Sequence, residues 1–126
     1  MDDAISRALS RGGVVDITTT GRRSGEPRRI EIVYHVIDGR IYISGMPSRR
    51  QRAWLWNLKA DPRLTLHLKG QGTNADLPAT ARVITDDAER RAILTHVAAT
   101  WRRTDVDIMV AYSPLIEVTI NEAAAA

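Results

Sequence analysis

The chain has 126 residues, 44% of them apolar, and no cysteine, so it can bury one core but cannot contain disulfides or thiolate metal sites. No apolar run reaches the roughly 20 residues that a membrane-spanning helix needs, and the N-terminus lacks the regions of a signal peptide. We therefore expect a single cytoplasmic domain over residues 1–126, with residues 121–126 as a frayed tail.

Positive charge is concentrated in one part of the chain. Between Arg22 and Arg63 lie ten Lys or Arg residues against four acidic ones, a local charge of +6 in a chain whose net charge is +3. This excess favours an anionic partner, which can be a phosphate-bearing small molecule, a nucleic acid or an anionic membrane surface. A solvated arginine-rich face would explain the charge equally well.

The predicted elements begin with a short helix within residues 1–12, which a Gly-Gly pair ends. The apolar residues then alternate in VVDITTT and RIEIVYHV, as in half-buried strands. Asp38 and Gly39 lie between two apolar runs and predict a tight hairpin into a third antiparallel strand. Three further strands are predicted in RLTLHLK, ADLPATARVI and PLIEVTI.

Two more helices are predicted between the strands. In PSRRQRAWLWNLKADP, Ser48 and Gln51 have the spacing of a capping box, which places a helix from an N-cap at Ser48 to Ala60. The other helix begins at Asp86, with a glutamate at capping spacing. The fold class is α+β, a small barrel of about six antiparallel strands with two to three helices.

Basic residues flank two of the predicted turns. One set, at the predicted helix start, would surround unpaired backbone N–H groups that favour an anion: Arg49, Arg50 and Arg52. The other set flanks a turn with two glycines, whose N–H groups can converge on an anion: Arg22, Arg23, Ser24 and Arg28. Together the two sets predict phosphate or carboxylate binding.

The sequence shows no protein nucleophile and no metal site. His35, His67 and His96 lack metal-ligand spacing and are interpreted as structural. No G-x-S-x-G, G-x-G-x-x-G or Walker segment occurs. Nucleic-acid binding is disfavoured because the chain has no phenylalanine and three tyrosines. An enzyme of this composition would depend on a bound cofactor.

Two segments resemble a known family. ITTTGRRSGEPRRIEI and AWLWNLKADPRLTLHLKG, with IDGRIYIS between them, are similar in order and spacing to the T-T-x-G-R-x-S-G-x-P-R and W-x-x-N-L-x-A-x-P segments of the deazaflavin-dependent nitroreductases. The resemblance implies a split β-barrel related to flavin mononucleotide (FMN)-binding oxidases. It also implies binding of coenzyme F420, a deazaflavin typical of actinobacteria and methanogens, whose hydride reduces quinones, nitroaromatics or unsaturated ketones.

The resemblance further implies which residues hold this cofactor. Its acidic tail would be held by Arg22, Arg23, Ser24 and Arg28. Its phosphate or glutamates would be held by Arg49, Arg50 and Arg52. The deazaflavin and its phosphate would be lined by the third strand's end and the next helix, at Ser44, Gly45, Met46, Ala53, Trp54 and Asn57.

The sequence departs from the family pattern in two places. The loop before Trp54 is shorter, and Met46-Pro47 replaces a glycine–lysine portion. Asp105 or Val106 stands where the nitroreductase has a substrate-side tyrosine, with Trp101 and Tyr112 nearby. The candidate proton donors are therefore a protonated water and Tyr112.

With these departures, the alternatives are an FMN-binding enzyme of the same fold and a non-catalytic lipid- or cofactor-binding protein. The basic charge also leaves open contact with a membrane surface, and the sequence leaves open a monomer or a homodimer. The expected partners are the anionic cofactor and a small hydrophobic acceptor.

Overall fold

The computed structural model describes residues 3–69 and 72–121. In chain order the elements are α1 (Asp3–Ser10), β1 (Gly13–Thr20), β2 (Pro27–Ile37), β3 (Arg40–Ser44), α2 (Ala53–Ala60), β4 (Arg63–Leu68), β5 (Ala75–Val83), α3 (Asp87–Trp101), α4 (Val106–Tyr112) and β6 (Leu115–Ile120). The six predicted strands are confirmed. The described residues form four helices rather than two to three. Most of the predicted tail, residues 122–126, lies outside the described residues.

The six strands close into one antiparallel barrel in the order β1-β2-β3-β6-β5-β4. Alternation in β1 buries Val15, Ile17 and Thr19, as the sequence predicts. β1 closes the barrel against β4, where Ile17 lies opposite Leu66 and both are fully buried. The barrel interior is therefore a packed apolar core, and the clefts lie outside it.

The predicted hairpin between β2 and β3 is confirmed. Asp38 and Gly39 both have positive φ, 52° and 76°, which is the backbone of a type I′ turn. Ile37 then pairs with Arg40, so the register of the two strands is set at the turn.

The start of α2 differs from the prediction. Arg52, not Ser48, is the N-cap, and no side chain caps this helix. The Ser48 hydroxyl instead accepts a hydrogen bond from the backbone N–H of Arg50 at 3.2 Å, which closes a local turn. The predicted capping box of Ser48 and Gln51 is therefore wrong. Burial of its apolar side holds the helix on the barrel, through Trp54, Leu55 and Leu58.

The last two helices form a second core beside the barrel. The predicted cap of α3 is confirmed, because the Asp86 carboxylate accepts from the Glu89 N–H at 2.9 Å. α4 was not predicted, although apolar residues recur at helical spacing before Ser113-Pro114. The two helices bury a shared set of side chains, which includes Leu94, Val97, Met109 and Val110.

A half-buried arginine joins these two helices. Arg90 of α3 donates to the carbonyls of Ile84 at 3.0 Å, Val110 at 2.9 Å and Ser113 at 2.6 Å. The last carbonyls of a helix have no partner within it, so the guanidinium completes the C-terminal end of α4. Burial lowers the pKa of Arg90.

His35 of β2 is buried without a partner for its Nε2 atom among the described residues. Its ring meets Trp101 edge-on, with the centroids 5.1 Å apart. Burial lowers the pKa of His35, so the unfolded chain binds a proton at a higher pH than the folded chain does.

We therefore expect the protein to lose stability as the pH falls. The contribution of His35 is fully present above the usual histidine pKa of about 6.5 and is lost as the pH drops through the lower folded value. His35→Phe should flatten this decline in urea unfolding between about pH 7.5 and about pH 5. His96→Gln removes an exposed imidazole and serves as the control. An equally steep decline in His35→Phe would assign it to other groups.

Candidate functional site

The structure places the two arginine sets in different clefts, on different sides of α2. The turn cleft, of about 380 Å³, lies between the β1–β2 turn and the start of α2 and is lined by Arg22, Arg23, Ser24, Arg28, Ala53, Trp54 and Asn57. The α4 cleft, of about 410 Å³, lies between the β3–α2 loop and the end of α4 and is lined by Arg49, Arg50, Arg52, Arg90, Tyr112 and Ser113. A ligand group in one cleft thus meets only one of the two sets.

The β1–β2 turn is held by its own hydrogen bonds. Gly21 donates to the Glu26 carbonyl at 2.8 Å, and a Cβ at Gly21 would come within 2.6 Å of the Ser24 hydroxyl oxygen. That oxygen accepts from the Glu26 N–H at 3.1 Å and from Arg28 at 3.4 Å. Ser24 therefore shapes the turn, and the compact turn holds Arg22 and Arg23 at the cleft.

Asn57 ties α2 to this turn. Its amide is 7% exposed, accepts from the Arg22 N–H at 3.0 Å and donates to the Thr19 hydroxyl at 3.1 Å. Since both ends of the amide are occupied within the protein, the side chain positions the turn that carries the arginines.

Asn57→Ala should lower the free energy of unfolding by about 1–3 kcal/mol, because it leaves a buried hydroxyl and a backbone N–H without a partner. Urea unfolding at neutral pH measures the change. Asn74→Ala removes an exposed amide and is the matched control. Equal effects from the two variants would show that the contacts of Asn57 add nothing to stability.

The end of β3 uses its polar atoms within the fold. The buried Ser44 hydroxyl donates to the Pro114 carbonyl at 2.7 Å. Arg52 donates to the Met46 carbonyl at 2.7 Å and covers Gly45, where a Cβ would lie 3.1 Å from the guanidinium carbon. Ser44, Gly45 and Met46 line neither cleft.

Most basic side chains elsewhere on the surface contact a carboxylate. Such pairs are formed by Arg29, Arg40, Arg63, Lys69, Arg82, Arg91 and Arg103. Arg28 also has one, at 3.6 Å from Glu26, and both side chains are largely exposed.

Four of the arginines that line the two clefts lack such partners. Within residues 3–69 and 72–121, no carboxylate pairs with Arg22, Arg23, Arg49 or Arg50. Arg22 lies over the Trp56 ring at 4.9 Å, and Arg49 lies over the Tyr112 ring at 5.7 Å. Both rims therefore carry uncompensated positive charge and can bind an anion.

Tyr112 is the last residue of α4 and lines the α4 cleft. It is 44% exposed, and its carbonyl accepts from the Ser48 N–H at 3.1 Å, which joins α4 to the β3–α2 loop. Arg90 and Ser113, which line the same cleft, were missed in the sequence. The spacing of Arg90 from Ile93 and Leu94 would have placed it on the buried side of α3.

The described part of the chain contains no group of three or more His, Cys, Asp or Glu residues placed to hold a metal ion. None of its helices combines the length and apolar character needed to cross a bilayer.

A family model described as F420H(2)-dependent quinone reductase matches residues 2–121 of the sequence. No protein with a curated description matches the sequence of this chain.

Three solved structures resemble the fold. A conserved hypothetical protein from Mycobacterium tuberculosis has a TM-score of 0.75 and 20% identity, over 96% of this chain and 81% of that one. A protein described as an F420 reductase has a TM-score of 0.70 and 14% identity, over 96% of both chains. A Listeria innocua protein of the pyridoxamine 5'-phosphate oxidase type has a TM-score of 0.68 and 11% identity, over 94% of this chain and 92% of that one. At these identities the likeness establishes the fold, a split β-barrel of the FMN-binding type.

Proposed function

The chain belongs to the F420H(2)-dependent quinone reductase family, and we propose that it binds reduced coenzyme F420 with the acidic end in the turn cleft and reduces a quinone. The observation that carries this proposal is the pair Arg22 and Arg23, which line a cleft beside a helix start and have no carboxylate partner among the described residues. Membership of the family by itself supports the use of F420. The turn cleft adds the positively charged hydrogen-bond donors that the acidic end of F420 requires.

The residues of the turn cleft fit a phosphate and a glutamate tail. Arg22 and Arg23 are free to form charge-assisted hydrogen bonds, and Arg28 is held only by Ser24 and an exposed glutamate. The first turn of α2, at Ala53 and Trp54, has no side-chain cap, so its N–H groups can face an anion. The donor set therefore matches an anionic ligand in both charge and hydrogen-bonding type.

When bound, the deazaflavin supplies a hydride, and a quinone takes up this hydride and one proton. The side chains of this chain contribute binding and orientation, which is the usual share of the protein in cofactor chemistry. The proton comes from water or from the phenol of Tyr112, which lines the α4 cleft. Turnover of Tyr112→Phe separates these sources, because an unchanged rate would remove Tyr112 from the reaction.

Titration of the purified protein with oxidised F420 and, in parallel, with FMN tests the proposal. Cofactor fluorescence gives the affinities, and oxidation of reduced F420 by a quinone gives the activity. We expect micromolar binding of F420, weaker binding of FMN, and turnover that requires the quinone. Preferential binding of FMN would support the FMN-enzyme alternative, and no binding of either would overturn the reductase proposal.

A further inference from the structure

The α4 cleft combines a cationic rim with an apolar floor. Its rim carries Arg49 and Arg50, and Asp87 is the one acidic residue in the described lining. Its floor is formed by Leu55, Ile84, Val110, Pro114 and Leu115. A cleft of about 410 Å³ with these surfaces suits a small molecule that is apolar on one side and negatively charged on the other.

The cationic groups of this cleft are not equally available. The guanidinium of Arg90 is engaged by backbone carbonyls, and that of Arg52 by the Met46 carbonyl. The Lys59 amine donates to the Gln51 side chain at 3.0 Å. Arg50 has no side-chain partner among the described residues, and Arg49 only stacks on Tyr112. An anion in the cleft is therefore directed to Arg49 and Arg50.

A buried hydroxyl in the same cleft also lacks a partner. Ser113 lines the cleft, is 4% exposed, and its Oγ has no hydrogen-bond partner in the part of the chain that the structure describes. Buried hydroxyls are normally satisfied, since leaving one unpaired costs stability. Because this oxygen is itself covered, a carboxylate or carbonyl oxygen of a ligand would supply the missing acceptor once the Ser113 side chain rotates toward the cleft.

We infer that the α4 cleft binds an organic carboxylate with a flat apolar body, separately from the cofactor's acidic end in the turn cleft. The carboxylate is held by Arg49 and Arg50, since a guanidinium matches a carboxylate bidentately. The apolar body lies against the floor and the exposed ring of Tyr112. That a molecule of this class bearing a quinone ring takes up the hydride and one proton rests on the proposed function; the binding itself does not.

Calorimetric titration of the cofactor-free protein with 2-naphthoate tests the inference, with the uncharged naphthalene-2-carboxamide as the matched probe. We expect naphthoate to bind at least tenfold more tightly than the amide, and Arg50→Gln to abolish this preference. Arg23→Gln removes an arginine of the turn cleft and should leave naphthoate binding unchanged. Both arginines are exposed, so both variants should fold, which circular dichroism checks.

The same titration with F420 present separates the two ligands. Naphthoate should still bind when the protein is saturated with F420, and Ser113→Ala should weaken it without changing F420 affinity. Equal affinity for acid and amide, no naphthoate binding, or displacement of naphthoate by F420 would overturn the inference. If F420 fails to bind while naphthoate binds through Arg50, the proposed cofactor is wrong and the anion site stands.

Discussion

Replacing Arg90 by methionine is expected to lower the free energy of unfolding by about 2–4 kcal/mol. Methionine keeps the apolar stem of the side chain but removes the donors that satisfy the carbonyls of Ile84, Val110 and Ser113. Two of these carbonyls belong to the end of α4 and the residue after it, so the helix loses its anchor to α3. The loss should also loosen the α4 cleft, because Tyr112 and Ser113 line it.

Urea unfolding followed by circular dichroism measures this loss. Arg91→Met is the matched control, because Arg91 is the next residue of α3 and pairs with Asp107 at 2.7 Å with both side chains mostly exposed. Such a pair is worth about 1 kcal/mol or less. If the free energy of unfolding falls by the same small amount in both variants, the carbonyl contacts of Arg90 do not hold α4.

The second large effect concerns cofactor affinity. Arg22→Gln combined with Arg23→Gln should raise the Kd for F420 about 100-fold, since two charge-assisted hydrogen bonds of roughly 1.5 kcal/mol each are lost and each 1.4 kcal/mol is tenfold. The affinity of the double variant should also depend less on salt, because fewer charges meet the anion. Fluorescence titration at two salt concentrations measures both changes.

Arg49→Gln combined with Arg50→Gln is the control, with the same loss of charge in the α4 cleft. It should change the Kd for F420 little, because the α4 cleft lies on another side of α2. The reverse result, with the second pair controlling F420 affinity, would assign the cofactor's acidic end to the α4 cleft. Equal losses of F420 affinity in the two double variants would show that the cofactor spans both clefts or that long-range electrostatic attraction controls the affinity.

The sequence alone determined the strands, the hairpin at Asp38-Gly39, the cap of α3 at Asp86 and the family. The strands, the hairpin and the cap depend only on residues that are close in the chain. The apolar residues of a strand alternate, Asp38 and Gly39 adopt positive φ, and the Asp86 carboxylate accepts from the Glu89 N–H, all without a distant partner. The family resemblance was readable for a related reason, since its motif residues lie in two short segments. The arginine content of the two clefts was also predictable, because the arginines of each set lie close together in the chain.

The tertiary structure alone decided where the arginines lie relative to each other. The sequence grouped both sets around one ligand, but the barrel places α2 between them. It also decided that α2 begins at Ala53, because Ser48 closes a local turn and donates its N–H to the Tyr112 carbonyl. The role of Arg90 depends on carbonyls about 20 residues away in the chain, and such long-range contacts leave no local pattern.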